Sequence, residues 1–350
     1  MKLYKLSAVM FSALLLASCS DIDNQEYAGG AISGEQSQET NSAIPSRTKA
    51  TFAGMFTLIG DPCHNYQTHF SDTRPDDFGF VMSAISLDLE GADMSMQDNG
   101  YNWFSASDEL SSRNANYANP YVRYVIPYTS LGIANDIINA FPADTKDAEA
   151  INMIAQAKTI RAFDYLSLAP YFQGSYQTSK DKPCVPLLDG KNDYTNNPRA
   201  TVAEVYTAII DDLSYAIDNL TDAREDKSRI NKSVALGLRA RAYLYMGEYA
   251  KALVDAEAAM KGYTPASLAD VSVPGFDDSS ASNWMWTYDL TDDQVASAAA
   301  SYATAASWMS AFCGQGYAVA TGNVPMINKL LYDKIPATDV RKGWWLDENL

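Results

Sequence analysis

One stretch of this sequence places aromatic rings directly beside hydrogen-bonding side chains. Tyr101 and Trp103 flank Asn102, and Asp98 lies shortly before them in a polar segment typical of a loop. Sugars bind proteins by laying their C–H faces on Tyr or Trp rings, while amide and carboxylate groups take their hydroxyls. These four residues therefore predict a carbohydrate contact. For Trp103 an ordinary place in the hydrophobic core is an equally good interpretation.

Patterns that would indicate catalysis are missing from the sequence. It contains no GxGxxG after a strand, no Walker loop, no CxxC and no HExxH. Its histidines are His64 and His69, and their spacing is awkward for a metal site on a helix. Adjacent acids such as Asp211 and Asp212 usually solvate a surface, whereas glycosidase carboxylates face each other about 5–9 Å apart across the sugar. We therefore predict a protein that is not an enzyme and has neither cofactor nor metal, although calcium stays open at residues 189–193.

The charge balance excludes some classes of partner. The chain has a formal net charge of −17; residues 1–18 hold two lysines and no acids, so their removal leaves 24 basic and 43 acidic residues, or −19. Such an acidic surface argues against nucleic acid and mildly against anionic polysaccharides. Cys63, Cys184 and Cys313 are odd in number and far apart, so they imply no disulfide framework.

The first 19 residues have the pattern of a secretory signal. Lys2 and Lys5 precede an apolar run that is too short to span a bilayer. Leu16-Ala17-Ser18-Cys19 resembles a bacterial lipobox, which implies cleavage after residue 18 and a lipid on the thiol of Cys19. The alternative is an ordinary secretory signal with a chance cysteine. Residues 19–49 are polar and predict a flexible tether that anchors the chain to a membrane only through this lipid.

Residues 230–263 predict two helices folded back on each other. Small and apolar residues recur at helical spacing up to Gly247, and a second amphipathic pattern begins at Tyr249. The hairpin resembles a tetratricopeptide (TPR) repeat, because Tyr243, Tyr249, Ala252 and Ala259 fill consensus positions. A TPR is a scaffold and does not by itself name a function.

Further helices are predicted over residues 147–168, where Pro170 should end the helix, and from a capping box of Thr201 and Glu204 to about Leu220. Residues 174–199 hold five Pro or Gly residues and predict a loop. A short helix is predicted over residues 324–332. We expect Trp286 and Trp344 to be core residues.

Several segments occur in an order that resembles the SusD/RagB family. They are the lipobox, IANDIINAF at 133–141, AKTIRAFDYLSLAPYFQG at 157–174, RATVAEVYTAIIDDLSYAIDNL at 199–220, the hairpin, and the Asp339-Val340-Arg341 end. The resemblance implies an all-α fold with TPR-like hairpins and a loop-rich ligand-binding part. It divides the chain into a signal peptide (1–18), a lipid-anchored tether (19–49), a helical part (50–263) and an aromatic-rich segment (264–350).

The same resemblance implies a function. Family members are outer-membrane lipoproteins of Bacteroidetes that bind oligosaccharides or other nutrients at the cell surface for a SusC-like TonB-dependent transporter. It adds Trp284, Tyr288 and Trp308 to the predicted glycan contacts. It also implies further C-terminal TPR helices, so we expect residues 1–350 to be incomplete. The alternative is a TPR-type adaptor lipoprotein that binds a protein partner.

Overall fold

The computed structural model describes residues 36, 39–40, 43–60, 79–91, 93–96, 110, 113–114, 118–191, 196–273, 278–289 and 325–345. Within these ranges helices dominate, and four short strands pair into two small sheets. The helices are α1 Pro45–Gly60, α2 Gly79–Glu90, α3 Ala118–Asn139, α4 Ala148–Phe172, α5 Tyr176–Ser179, α6 Val202–Asn219, α7 Lys232–Met246, α8 Tyr249–Ala259, α9 Leu268–Val271, α10 Lys329–Lys334 and a 3₁₀ helix Val340–Trp345. The strands are β1 Met94–Met96, β2 Pro183–Pro186, β3 Arg199–Thr201 and β4 Pro325–Ile327.

The long helices pack one after another along the chain. Helix α3 lies between α1 and α4, α4 packs on α6, α6 on α7, and α7 on α8. Their facing sides form one apolar core, in which Leu131, Ile160, Ile209 and Leu213 are completely buried. Burying apolar area between successive helices is the main force that holds such an arrangement together. The predicted all-α fold class is confirmed.

Local signals define the ends of several helices. The Thr201 hydroxyl accepts the backbone N–H of Glu204, whose carboxylate in turn accepts the N–H of Thr201, so the predicted capping box is confirmed. Gly247 ends α7 in the left-handed region at φ 78°. A residue without Cβ adopts this conformation at little cost, and the chain turns there directly into α8.

The predicted boundary at Pro170 is wrong. Helix α4 continues through this proline to Phe172. The ring of Phe172 packs edge-on against Tyr124 of α3, with 5.4 Å between ring centroids, and its carbonyl accepts a hydrogen bond from Arg199. These tertiary contacts outweigh the backbone hydrogen bond that a proline cannot donate.

Four other local predictions need correction. Helix α1 begins at Pro45, within the segment that the polar composition assigned to the tether. The segment 174–199 contains the short helix α5 and the strand β2, which pairs antiparallel with β3. The helix predicted over 324–332 is instead strand β4 followed by α10, whose N-cap is Asn328. Trp344 is 43% exposed, so its predicted place in the core is wrong.

The second small sheet joins distant parts of the chain. Strand β1 pairs antiparallel with β4, with Met94 opposite Ile327 and Met96 opposite Pro325. The N–H of Asn328 extends this ladder by donating to the carbonyl of Asp93 at 3.0 Å. Among the helices of the described ranges, none is long and apolar enough to cross a bilayer.

Candidate ligand-binding site

Most of the residues predicted to contact a glycan lie outside the described part of the chain. This holds for Asp98, Tyr101, Asn102, Trp103 and Trp308. Cys19, His64 and His69 also lie outside it. Trp284 and Tyr288 are described, and both belong to the segment 278–289. The geometry of the candidate site is therefore built from this segment and the residues that hold it.

Backbone and side-chain hydrogen bonds fix the segment 278–289 against the loop that precedes α7. The backbone N–H of Thr287 donates to the carbonyl of Lys227 at 3.1 Å. The ammonium group of Lys227 donates to the carbonyl of Ala281 at 2.6 Å. The backbone N–H of Trp284 closes a turn by donating to the same carbonyl, with a distance of 3.1 Å. Main-chain groups and the Lys227 side chain thus hold together two segments whose bonded residues are 54 and 60 positions apart in sequence.

Trp286 anchors the same segment to the helical core. Its indole N–H donates to the carbonyl of Ser228 at 2.9 Å, which satisfies the one polar atom of the ring. Its ring meets Phe163 of α4 edge-on, with 5.4 Å between centroids. The next residue towards the N-terminus, Met285, lies against Gly237 of α7. The prediction that Trp286 is a core residue is confirmed: it packs against the core while half-buried.

A pocket of about 500 Å³ lies where these two segments meet. Tyr288 supplies its aromatic ring, and most of the other lining residues carry hydroxyl or carboxylate groups. The lining residues are Asp226, Lys227, Ser228, Ser279, Ser280, Thr287, Tyr288 and Asp289. Trp284 belongs to the same segment but does not line this pocket.

Hydrogen bonds fix the acidic groups in and beside the pocket. Asp226 accepts from the backbone N–H and the hydroxyl of Ser228, at 2.7 and 2.5 Å. Burial raises the pKa of Asp226, but these two hydrogen bonds and the nearby Arg229 outweigh it, so the pKa lies below its ordinary value. At the opposite wall, Asp289 accepts from the hydroxyl of Ser279 at 2.6 Å.

The neighbouring Asp278 is ionised for the same reason. Hydrogen bonds from the side chain and the backbone N–H of Ser280 hold the pKa of Asp278 below its ordinary value, and the N–H lies 2.8 Å from its carboxylate. Carboxylates, hydroxyls and one phenol ring suit a ligand that is rich in hydroxyl groups and carries no negative charge. The sequence predicted Tyr288 here and missed Asp226, Ser228, Ser279 and Asp289. The Asp-x-Ser spacings at 226–228 and 278–280 are turn signals that pointed to these loops.

Comparison with known proteins repeatedly finds SusD-like proteins. Residues 80–244 match the family model SusD-like_3, described as starch-binding and associating with the outer membrane. A SusD-like protein of Bacteroides ovatus is 30% identical over 123 residues, which cover 33% of this chain and 21% of that protein. SusD-like protein P2 of Formosa agariphila is 24% identical over 261 residues, which cover 73% of this chain and 46% of that protein.

A solved structure shares the fold over most of the chain. The SusD-like carbohydrate binding protein of Bacteroides vulgatus superposes with a TM-score of 0.70 at 19% identity, covering 85% of this chain and 60% of that one. The matched parts therefore span about half or less of the two curated relatives and 60% of this solved structure. The matched region contains α3, α4, α6 and nearly all of α7, and α4 and α7 are the helices that Trp286 and Met285 contact beside the pocket. In both sequence and fold, the chain is similar to SusD-like proteins.

Proposed function

We propose that this protein binds neutral oligosaccharide and passes it to a SusC-like TonB-dependent transporter in the outer membrane. The observation that carries the proposal is the pocket between residues 226–228 and 279–289, where the Tyr288 ring stands beside fixed hydroxyl and carboxylate acceptors. The family description, starch-binding and associating with the outer membrane, supports both the ligand class and the location. Trp103 and Tyr101, with Asn102 and Asp98, are proposed as further contacts to the same ligand, as are Trp284 and Trp308.

The proposed site binds sugar without turning it over. Asp226 and Asp289 are each engaged by a serine, so both act as fixed hydrogen-bond acceptors for sugar hydroxyls. Each sugar hydroxyl exchanges a bond to water for a bond to protein at small net gain, so we expect dissociation constants in the micromolar to millimolar range, or about 4–8 kcal/mol. Weak binding suits a protein that must release its ligand to a transporter.

The test is a glycan-array screen followed by calorimetry with the best neutral oligosaccharide. Removing a stacking ring costs about 1–3 kcal/mol by analogy with bases on aromatic side chains, so Tyr288→Ala should weaken binding about 5- to 150-fold. Tyr249→Ala is the matched control, because Tyr249 is 68% exposed on α8 and does not line the pocket. Equal affinities of the two variants would remove Tyr288 from the site. Release of a shorter sugar would overturn the proposal that the protein is not an enzyme.

The membrane part of the proposal rests on Cys19. We propose that this cysteine is lipidated and holds the domain at the cell surface. Mass spectrometry of the mature N-terminus should show acyl chains on Cys19, and Cys19→Ala should release the protein from the membrane fraction. An unmodified Cys19 in the mature protein would contradict this proposal.

One observation favours protein binding as a second candidate function. The outer face of the hairpin α7–α8 exposes Leu244, Tyr249, Leu253, Val254 and Met260, each by more than half. Grouped apolar side chains on a helical hairpin suit an apolar helix, supplied by a partner or by the rest of a longer chain. Binding of a protein partner by a variant that lacks Tyr288, with no glycan bound by the wild type, would favour this function over the first.

A further inference from the structure

A second, smaller cavity lies between α2, α3 and α4, apart from the pocket described above. Its volume is about 190 Å³, room for about six water molecules at about 30 Å³ each. A ligand of this size has a single ring. Phe80, Phe163 and Tyr171 supply aromatic walls, and Ser83 and Ser167 supply hydroxyl groups.

Residues of α2, α3 and α4 form the walls of this cavity. Pro127, which lines the cavity, has no N–H to donate to the carbonyl of Arg123, so the hydrogen-bond ladder of α3 is interrupted at this wall. On α4, the residues Phe163, Ser167 and Tyr171 recur every four positions and so share one side of the helix. The rings of Phe80 and Phe163 lie against each other with 5.1 Å between centroids.

Arg123 is the charged side chain among the described residues that line this cavity. It is 7% exposed. Its Nη2 donates to the Ser86 hydroxyl at 3.0 Å and to the Glu90 carboxylate at 2.5 Å. Its Nε is buried and has no hydrogen-bond partner. A buried donor without a partner costs free energy, so an acceptor that bonds to this guanidinium would remove that cost.

Positive and negative groups around Arg123 are close to balance. Glu90 is shared between two guanidinium groups, because Arg113 also approaches its carboxylate, at 3.4 Å. The charge of Asp88 also acts on Tyr171, so two carboxylates lie near these two cations. The chain as a whole is acidic at −17, but at ordinary ionic strength a group in the cavity feels mainly the charges within about 10 Å.

A second unsatisfied side chain, Asp164, lies in the same pair of helices. It is completely buried on α4, one turn before Ser167, and neither carboxyl oxygen has a hydrogen-bond partner. Burial raises the pKa of Asp164 well above its ordinary value. Within the described part of the chain, the buried side-chain atoms that lack partners are these two oxygens, Ser130 Oγ and Arg123 Nε, and all belong to α3 and α4.

We propose that this cavity binds a single sugar acid, a uronic acid residue, with its carboxylate on Arg123 and its ring among Phe80, Phe163 and Tyr171. A guanidinium is the side chain best suited to bind a carboxylate, and the serine hydroxyls serve the ring hydroxyls. The inference rests on the proposed glycan-binding function and deepens it by naming an acidic sugar at a second cavity. An aromatic acid shares the carboxylate and the ring but lacks the hydroxyls, so the experiment includes one.

The experiment is calorimetry on the full chain with glucuronate, glucose and benzoate. Glucuronate should bind about tenfold or more tightly than glucose, because only glucuronate forms a charge-assisted bond. Its affinity should fall as salt is raised. Benzoate should bind more weakly than glucuronate. Equal binding of glucose and glucuronate would overturn the proposal, and tighter binding of benzoate would overturn the sugar-acid assignment.

Two variants locate the binding and guard against a folding artefact. Ala84 is exposed at the cavity, so Ala84→Trp should fill it without disturbing the core, and glucuronate binding should be lost. Arg123→Lys keeps the positive charge but loses the planar guanidinium, which can donate two parallel hydrogen bonds. This variant should bind glucuronate about tenfold more weakly. Thermal melts followed by circular dichroism check that both variants fold. Unchanged glucuronate binding in Ala84→Trp would overturn the proposal. Loss of neutral-oligosaccharide binding in Tyr288→Ala tests the proposed function alone. Loss of glucuronate binding in Ala84→Trp tests this cavity alone.

Discussion

Arg161 and Asp212 join α4 to α6 through two parallel hydrogen bonds. Arg161 Nε lies 2.7 Å from Asp212 Oδ2, and Arg161 Nη2 lies 2.9 Å from Oδ1. The same carboxylate accepts from Lys158 at 2.6 Å, and Arg161 Nη1 reaches Asn135 of α3 at 2.8 Å. One carboxylate thus holds two cations at the centre of three packed helices.

Removing this carboxylate should be strongly destabilising. Asp212→Ala leaves Arg161 and Lys158 without an anion at a site where the aspartate side chain is 7% exposed. Breaking a buried ion pair in this way typically costs about 3–5 kcal/mol, which urea unfolding would measure. Asp211→Ala, at the adjacent exposed position, is the control and should change stability by about 0.5 kcal/mol or less. A loss of the same size in both variants would show that the ion pair contributes little.

Asp164 should make the stability depend on pH in the opposite sense to most acids. Because its pKa is raised in the folded state, the folded chain keeps a proton that the unfolded chain loses above about pH 4. Its contribution is therefore greatest below that pH and falls, by up to about 1.4 kcal/mol per pH unit, until the raised pKa is passed. Asp164→Asn should remove this fall, so the variant should gain stability over the wild type as pH rises from 5 to 8.

Denaturant unfolding at several pH values would measure the gain. The exposed Asp144→Asn is the control for the loss of one carboxyl group. A stability difference between Asp164→Asn and the wild type that does not change with pH would contradict the prediction.

Adding a methyl group should lower the stability of the protein at Gly247, which ends α7, and raise it at Gly237, which lies inside α7. Gly247 has φ 78°, and an added Cβ would lie 1.8 Å from the side-chain nitrogen of Gln177. Gly247→Ala should therefore cost about 1–2 kcal/mol, mainly for the left-handed backbone. At Gly237, in the middle of the helix, a Cβ would meet Met285 Sδ at an ordinary 3.7 Å. Gly237→Ala should stabilise by about 0.5–1 kcal/mol, and thermal melts of both variants check the pair.

Trp286 should be more important for stability than Trp344. The Trp286 ring packs on Phe163 and its indole N–H bonds to Ser228, so Trp286→Ala leaves a gap and an unpaired carbonyl. We expect the free energy of unfolding to fall by about 2–4 kcal/mol. This is a small loss for a Trp→Ala change, because the ring is only half-buried. Trp344→Ala, at a ring that is 43% exposed, should cost about 0.5 kcal/mol or less. Similar melting temperatures for the two variants would contradict this ranking.

The elements that the sequence predicted well are those with local causes. The capping box at Thr201 and Glu204 and the left-handed turn at Gly247 each depend on residues within one turn of helix. The strand β2 was missed because it depends on hydrogen bonds from Arg199, which lies 15 to 16 residues further along the chain. Arg199 donates to the carbonyls of Pro183 and Cys184, and no pattern within 174–199 reveals that contact.

The candidate site likewise contains one residue that the sequence predicted and others that it did not. Tyr288 was predicted as a ligand contact through the family resemblance, which implies that the aromatic segment after the hairpin contributes to the ligand site. Asp226 and Ser228 reach the same pocket only because Lys227 and Trp286 bind the two segments together across about 50 residues. Sequence separation hid that pairing, since periodicity and turn signals describe only near neighbours.

The pairing of β1 with β4 has a consequence for the order in which this chain assembles. Strand positions 94–96 meet 325–327, so the ladder closes a loop of about 230 residues, at an entropic cost on the order of 5 kcal/mol for a flexible chain. Two three-residue strands supply too few hydrogen bonds, at about 1 kcal/mol each, to meet that cost alone. The helices between them must therefore form and pack first and bring the two strands close. The ladder then becomes a late step in folding, and its amide hydrogens should be among the first to exchange with solvent when the native protein opens locally.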